Sequence, residues 1–212
     1  MIGGGGHCRS VLDCLLEQAV FSEIAIVDDF LPLGTQVMGV AVIGPTDAPE
    51  SYRRMGFTHA FLAIGSVGNP KIRQDFFESY SKAGFEFTNV IDKTAVVSRF
   101  ASLGSGVFVG KRAIINAGVS LGHAVIVNTC AVIEHDCQVG DFAHVATAGV
   151  LCGGVKVGRC SHIGAQSVVR QGLRVGSDCV VGMGSLVSSN IPEGVTAYGA
   201  PCRVKQANVV GL

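Results

Sequence analysis

Six histidines and a run of glycines are the residues whose types and spacing could do chemistry in this 212-residue chain. His135 lies between two acids in Asn128-Thr129-Cys130-Ala131-Val132-Ile133-Glu134-His135-Asp136-Cys137. An acid beside an imidazole fixes its tautomer and strengthens it as a base, which a proton-abstracting group needs. A solvated turn histidine with ordinary neighbours fits the same residues. His144 and His162 are 18 residues apart, and His123 and His135 are 12 apart. The eight cysteines form no C-x-x-C pair and read as reduced thiols, mostly small core fillers.

The second candidate is Gly3-Gly4-Gly5-Gly6-His7, followed about 22 residues later by Asp28 and Asp29. Glycines between a strand and a helix let a phosphate approach backbone amides, and an acid ending the next strand can bind a ribose hydroxyl. The loop is not a clean G-x-G-x-x-G, and a tight structural turn is the alternative. Around it, residues 1–90 alternate as a short α/β unit. An amphipathic helix runs from Ser10 to Ala19, buried strands cover Glu23–Asp29 and Ala60–Gly65, and a proline-led helix covers Pro70–Ala83. Only a stub of the first strand precedes the glycines.

The histidines of the second half sit in a repeat. Stepping by six from Ile91 to Val187 meets seventeen consecutive Val, Ile or Leu residues. All six prolines lie outside residues 71–191. A period of six is neither 3.6 nor 2. It marks a hexapeptide parallel β-helix of about five eighteen-residue coils, with His144 above His162 in one column. The slot after each aliphatic is usually Gly or Asn, as at Gly140, Gly158 and Asn128, read as residues that tolerate positive φ. Four residues after each aliphatic the side chain is usually small, as at Ala131, Cys137 and Ala143, read as a crowded inward corner.

Composition bounds the function. Sixteen basic residues balance sixteen acidic ones, which argues against nucleic acid as the main partner. No eighteen-residue apolar run occurs, so no membrane-spanning helix is expected. No basic and then apolar leader opens the chain, and a cytoplasmic location is expected. With 15% charged and 48% hydrophobic residues, surface is expected to be hidden in an oligomer.

These residues resemble one family, the hexapeptide-repeat acyltransferases of the PglD/NeuD type, which acetylate nucleotide-linked amino sugars. The likeness covers almost the whole chain. It rests on the glycine run with Val27-Asp28-Asp29, on Ala63-Ile64-Gly65 and Lys71-Ile72-Arg73, and on Asn128-Thr129 with Val132 to Cys137. His144 and the tail motifs Ile191-Pro192-Glu193-Gly194 and Gly199-Ala200-Pro201 complete it.

The resemblance implies a Rossmann-like nucleotide-sugar-binding domain over 1–88, a left-handed β-helix acyltransferase domain over 89–190 and a C-terminal tail over 191–212. It implies a homotrimer with sites in the clefts between prisms, and acetyl-CoA as co-substrate with no metal. His135 becomes the general base and Asp136 its assistant, where the relative carries Glu. His144 meets the thioester, Gly153 and Ala165 line the coenzyme channel, and Asn128 positions the acetyl group. Gly5, Gly6, His7, Asp28, Asp29 and Gly65 match residues that hold the nucleotide-sugar. The expected reaction is N-acetylation of a UDP-4-amino-sugar type substrate by direct transfer. O-acetylation of a sialic acid or other sugar, and a non-catalytic β-helical scaffold, are the alternatives. The three-histidine zinc site of the gamma-type carbonic anhydrases, another β-helix family, needs an H-x4-H pair that this chain lacks.

Overall fold

The computed structural model describes residues 1–65, 67 and 70–207, so residues 208–212 of the expected tail lie outside the described residues. The chain divides into two compact units. One is Met1–Gly65 with Lys71–Val90, and the other is built from Ile91 onward. Among the described residues no helix is long and apolar enough to cross a membrane.

The first unit is a small parallel sheet with helices α1 (Gly6–Gln18), α2 (Pro49–Arg54) and α3 (Lys71–Lys82). Reading across the sheet gives Glu86–Phe87, then His59–Ala60 continuing to Leu62, then Ile2, Ile26–Val27, Val40–Gly44 and Gln36–Val37. Only the last pairing is antiparallel. This is the Rossmann-like order, with its reversal of direction at Ile2 between Val27 and Leu62. The expected strand stub is therefore the centre of the sheet. Helix α1 starts at Gly6, four residues before the expected Ser10, because the glycine run itself turns into the helix. It buries Cys8, Val11, Leu12 and Leu15, an i, i+3, i+4, i+7 stripe.

The second unit is a left-handed parallel β-helix. Two-residue strands recur every six residues and pair in parallel with strands eighteen residues away, as Ile114, Val132, Val150 and Val168 do in succession. Three flat faces result. The first carries Phe108–Val109, Ile126–Val127, His144–Val145, His162–Ile163 and Val180–Val181. The second carries Val96–Val97, Ile114–Ile115, Val132–Ile133, Val150–Leu151, Val168–Val169 and Leu186–Val187. The third carries Ser102–Leu103, Ser120–Leu121, Gln138–Val139, Lys156–Val157 and Arg174–Val175. The later residue of each pair points inward, and from Val109 to Val187 these residues form the core. Each is worth roughly 1.5–3 kcal/mol of apolar burial. The small slot is inward too, with Ala131, Cys137, Ala143 and Ser167 all fully buried.

The glycine slot corrects the expectation placed on it. Positive φ falls two residues later, at Arg112, Ala124, Cys130, Asp136, Phe142 and Ala148 among others, and not at Gly140 or Gly164. Those glycines are required by close approach. A Cβ on Gly140 would stand 2.6 Å from the backbone N of Arg159, and one on Gly164 2.5 Å from that of Met183, because the next coil passes directly beneath. Gly140→Ala should therefore destabilise the fold by about 1–3 kcal/mol, the range for overpacking. Ala148→Gly, at a φ of 54°, should leave stability unchanged or raise it. Urea unfolding of the two variants checks the contrast, and equal effects would restore the conformational explanation.

Candidate active site

The sharpest feature of the β-helix is the corner after Val132–Ile133. The backbone N–H of Glu134 donates to Leu151 O at 2.9 Å, that of Asp136 to Ala117 O at 3.0 Å, and that of Gly154 to His135 O at 2.8 Å. The corner is thus tied to the coils on both sides. Asp136 occupies the left-handed conformation with φ 60°. Its Oδ2 lies 2.8 Å from His135 Nδ1. The carboxylate accepts, so Nδ1 carries the proton and Nε2 offers its lone pair. Hydrogen bonding to Asp136 holds the His135 imidazole above its ordinary pKa.

Two glycines shape this pair. A Cβ on Gly153, stacked eighteen residues beyond, would stand 2.5 Å from His135 Nε2. A Cβ on Gly118 would stand 2.5 Å from Asp136 Oδ1. Gly153 therefore leaves His135 Nε2 free of a side chain from the neighbouring coil. Gly118 was not singled out from the sequence. Only its place eighteen residues before Asp136 could have drawn attention to it.

Asn128 and His144 occupy a different edge. Asn128 Oδ1 accepts the N–H of Thr129 at 2.8 Å, so its Nδ2 faces His144 Nε2 at 3.3 Å and donates. This contact assigns the His144 proton to Nδ1. The His144 ring meets His162 edge to face, with centroids 4.8 Å apart. Ala165 follows His162 around the same corner one coil below Thr147, and Gly184 N donates to its carbonyl at 2.8 Å. On one chain the His135 and Asn128 corners are the opposite ends of a single strand of the second face, so the structure does not bring His135 onto Asn128 or His144.

Burial pushes the Cys137 thiol up to about 11, and its S–H donates to the carbonyl of Cys152 at 3.2 Å. It packs and does not attack. All eight cysteines are unpaired with one another. Among the described residues no group of three or more His, Cys, Asp or Glu side chains could hold a metal ion.

In the first unit the glycine run divides by role. Added Cβ atoms would meet Ile64 at Gly3 and Leu31 at Gly4, each at 2.5 Å, but nothing within 4 Å at Gly5 or Gly6. Gly5 caps α1 without a side-chain bond, and no acid stands in its first turn. The positive end of the helix dipole thus opens at the carboxyl edge of the sheet, beside its point of reversal. His7 is in that first turn, with Gly65 behind it, where a Cβ would lie 3.6 Å from that of His7. Burial, then the Arg73 guanidinium, push His7 down to about 4 and keep it neutral. Arg73 is itself only 1% exposed, a buried cation that the amphipathic pattern of α3 hides.

Asp28 and Asp29 part company. Burial alone would raise the Asp28 carboxyl, yet the N–H groups of Gly4, Phe30 and Leu31 donate to it at 2.7, 2.9 and 2.9 Å and hold it below its ordinary pKa. Asp28 so ties the glycine loop to the next strand. Asp29 accepts from the N–H and hydroxyl of Thr46, turning its carboxylate to the following loop.

Residues 1–80 match the PglD N-terminal domain, and residues 101–134 and 154–189 match the hexapeptide repeat of succinyl-transferase. Among solved structures, the perosamine N-acetyltransferase PerB of Caulobacter crescentus, in complex with CoA and GDP-perosamine, is 36% identical. The match covers 97% of this chain and 95% of that one with a TM-score of 0.90. The acetyltransferase domain of PglB from Neisseria gonorrhoeae, in complex with acetyl coenzyme A, is 34% identical over 96% of this chain and 97% of that one, with a TM-score of 0.90. WeeI from Acinetobacter baumannii, 23% identical over 96% of this chain and 97% of that one with a TM-score of 0.82, shares the fold. No curated protein matches significantly. Two units in this order, and identities above a third across nearly all of the PerB chain and of the PglB acetyltransferase domain, place the chain in the hexapeptide-repeat sugar N-acetyltransferases of the PglD/NeuD type.

Proposed function

We propose that the chain transfers the acetyl group of acetyl-CoA to the amine of a nucleoside diphosphate-linked amino sugar, with His135 as general base. The observation that carries this reading is the His135–Asp136 pair, whose Nε2 is left open by Gly153. As the amine nitrogen bonds to the thioester carbon, the carbon–sulfur bond breaks. The amine proton passes to His135 Nε2, and the thiolate of CoA is protonated as it leaves. Asn128 and His144 hold the acetyl oxygen, and Gly153 and Ala165 line the way for the coenzyme. Residues 1–88 hold the nucleotide through Gly5, Gly6, His7, Asp28 and Gly65, with Asp29 acting through Thr46. Residues 89–190 carry the transfer, and 191–212 form a tail. The enzyme works in the cytoplasm, where acetyl-CoA and nucleotide sugars are made.

A homotrimer supplies what one chain lacks. The outward residues of the second face are Val96, Ile114, Val132, Val150, Val168 and Leu186, an all-aliphatic column exposed by 62% at Val96 and 47% at Leu186. The third face presents Ser102, Ser120, Gln138, Lys156 and Arg174 instead. Turning the second faces toward a threefold axis buries the apolar column and sets the His135 edge of one copy beside the Asn128 edge of the next. Val168→Asp should give monomers by sedimentation and abolish turnover, whereas an active monomer would remove the shared site.

His135→Ala should lower kcat by about 10²–10⁴-fold, the usual worth of a general base, while CoA still binds. Asp136→Asn removes the group that raises the His135 pKa, so the base form should persist to lower pH. The acid limb of its kcat profile should accordingly move down, and an unmoved limb would release Asp136 from this role.

The nucleotide is read as UDP. The GDP-perosamine bound by PerB favours a guanine nucleotide as the second reading. Titration calorimetry with CoA, UDP and GDP separates them. CoA with one nucleotide supports the transfer and selects the sugar series. CoA alone would favour O-acetylation of a free sugar, and no CoA affinity would leave a scaffold.

A further inference from the structure

The outward column of the first face reads Phe108, Ile126, His144, His162 and Val180. Two imidazoles interrupt an otherwise apolar column, and both are only 8% exposed. His144 has Asn128 as its partner. The imidazole of His162 has no hydrogen-bond partner among the described residues, and of its two ring nitrogens only Nδ1 is sealed from solvent. A buried polar atom without a partner carries its desolvation cost with nothing to offset it. A valine or phenylalanine, as at neighbouring rungs, would avoid that cost.

The burial pattern selects the tautomer. An orphaned N–H is rarer than an under-used lone pair, so the lone pair is at the sealed Nδ1 and the proton at Nε2. Burial also lowers the pKa of His162, which keeps the ring neutral. The outcome is a single donor held against the His144 ring and opening to the surface. An acceptor of the carbonyl kind satisfies it.

Resting on the acetyl-CoA reading above, we infer that His162 is a second coenzyme contact, donating from Nε2 to the amide carbonyl of the pantetheine arm nearest the thioester. His162 lies one rung beyond His144, about 4.8 Å along the prism. The link from the thioester carbon to the first amide carbon runs through one sulfur, two methylenes and a nitrogen, five bonds that overreach one rung when extended and span it when bent. Ala165 follows His162 on the same rung, at the edge given to the channel. His144 then meets the reacting end and His162 the arm, which separates chemistry from binding on two adjacent rungs.

Two substitutions distinguish donation from packing. His162→Phe keeps a ring against His144 and loses the donor, and His162→Gln keeps an N–H donor and loses the ring. The phenylalanine variant should bind CoA about tenfold more weakly, the worth of one hydrogen bond. Its KM for acetyl-CoA should rise to match while kcat stays within about twofold. The glutamine variant should remain close to the parent protein. His162→Leu makes the same comparison should the phenylalanine variant not fold. Parent-like CoA affinity in the phenylalanine variant, or a larger loss in glutamine than in phenylalanine, would overturn the assignment. Parent protein that does not bind CoA at all would instead sink the acetyl-CoA reading, and this contact with it.

Discussion

Everything in the β-helix depends on how closely one coil lies on the next. Parallel strands in register sit less than 5 Å apart, and at the corners the backbones have no pleat to keep side chains clear. The glycines at 140 and 164 answer that crowding. The same closeness builds the His135–Asp136 pair. His135 and Asp136 are adjacent on a corner whose backbone is bonded to the coils before and after, and the two glycines stacked on that corner leave space for an imidazole and a carboxylate. A wider spacing would let the pair rotate. A side chain at position 153 would close off Nε2.

Three histidines of one prism illustrate how environment divides a single residue type. His135 stands exposed beside a carboxylate, and its imidazole is made more basic. His162 is buried in an apolar column and made less so. His144, between them in sequence, is held by an amide that decides which nitrogen carries the proton. A carboxylate neighbour and burial in an apolar column thus push the same side chain in opposite directions. The first unit repeats the principle with His7, kept neutral by burial and by Arg73.

Much of this was legible in the residues alone, for definite reasons. The six-residue phase is visible because the inward residue of every strand pair from Ile91 to Val187 is Val, Ile or Leu, so the coils, their faces and the stacking of His144 on His162 follow by counting. The adjacency of His135 and Asp136 needs no folding to be seen. Other features depend on contacts that no spacing encodes. The glycine slot was read as a demand for positive φ, yet left-handed residues such as Arg112 and Asp136 carry the turn two positions later. Asp28 and Asp29 look equivalent as a pair, and only the fold reveals that Thr46 engages one while the glycine loop engages the other. The start of α1 was missed because glycine is a poor helix former, and the run appears as loop until the sheet places its end. Arg73 is visible as part of the Lys71-Ile72-Arg73 motif, but its burial is not, because in sequence it is one more cation in a polar helix.

The uninterrupted register from Ile91 to Val187 also determines how this protein can change length. Deleting one residue anywhere in that stretch would turn every later aliphatic toward a corner, so single insertions and deletions are excluded across nearly half the chain. A whole coil is different. Eighteen residues added beyond Val169 would return each face to its own column and leave the His135 corner untouched. The prism behaves as a ruler graduated in coils, and its far end is free to be lengthened by duplication while the His135 corner stays as it is.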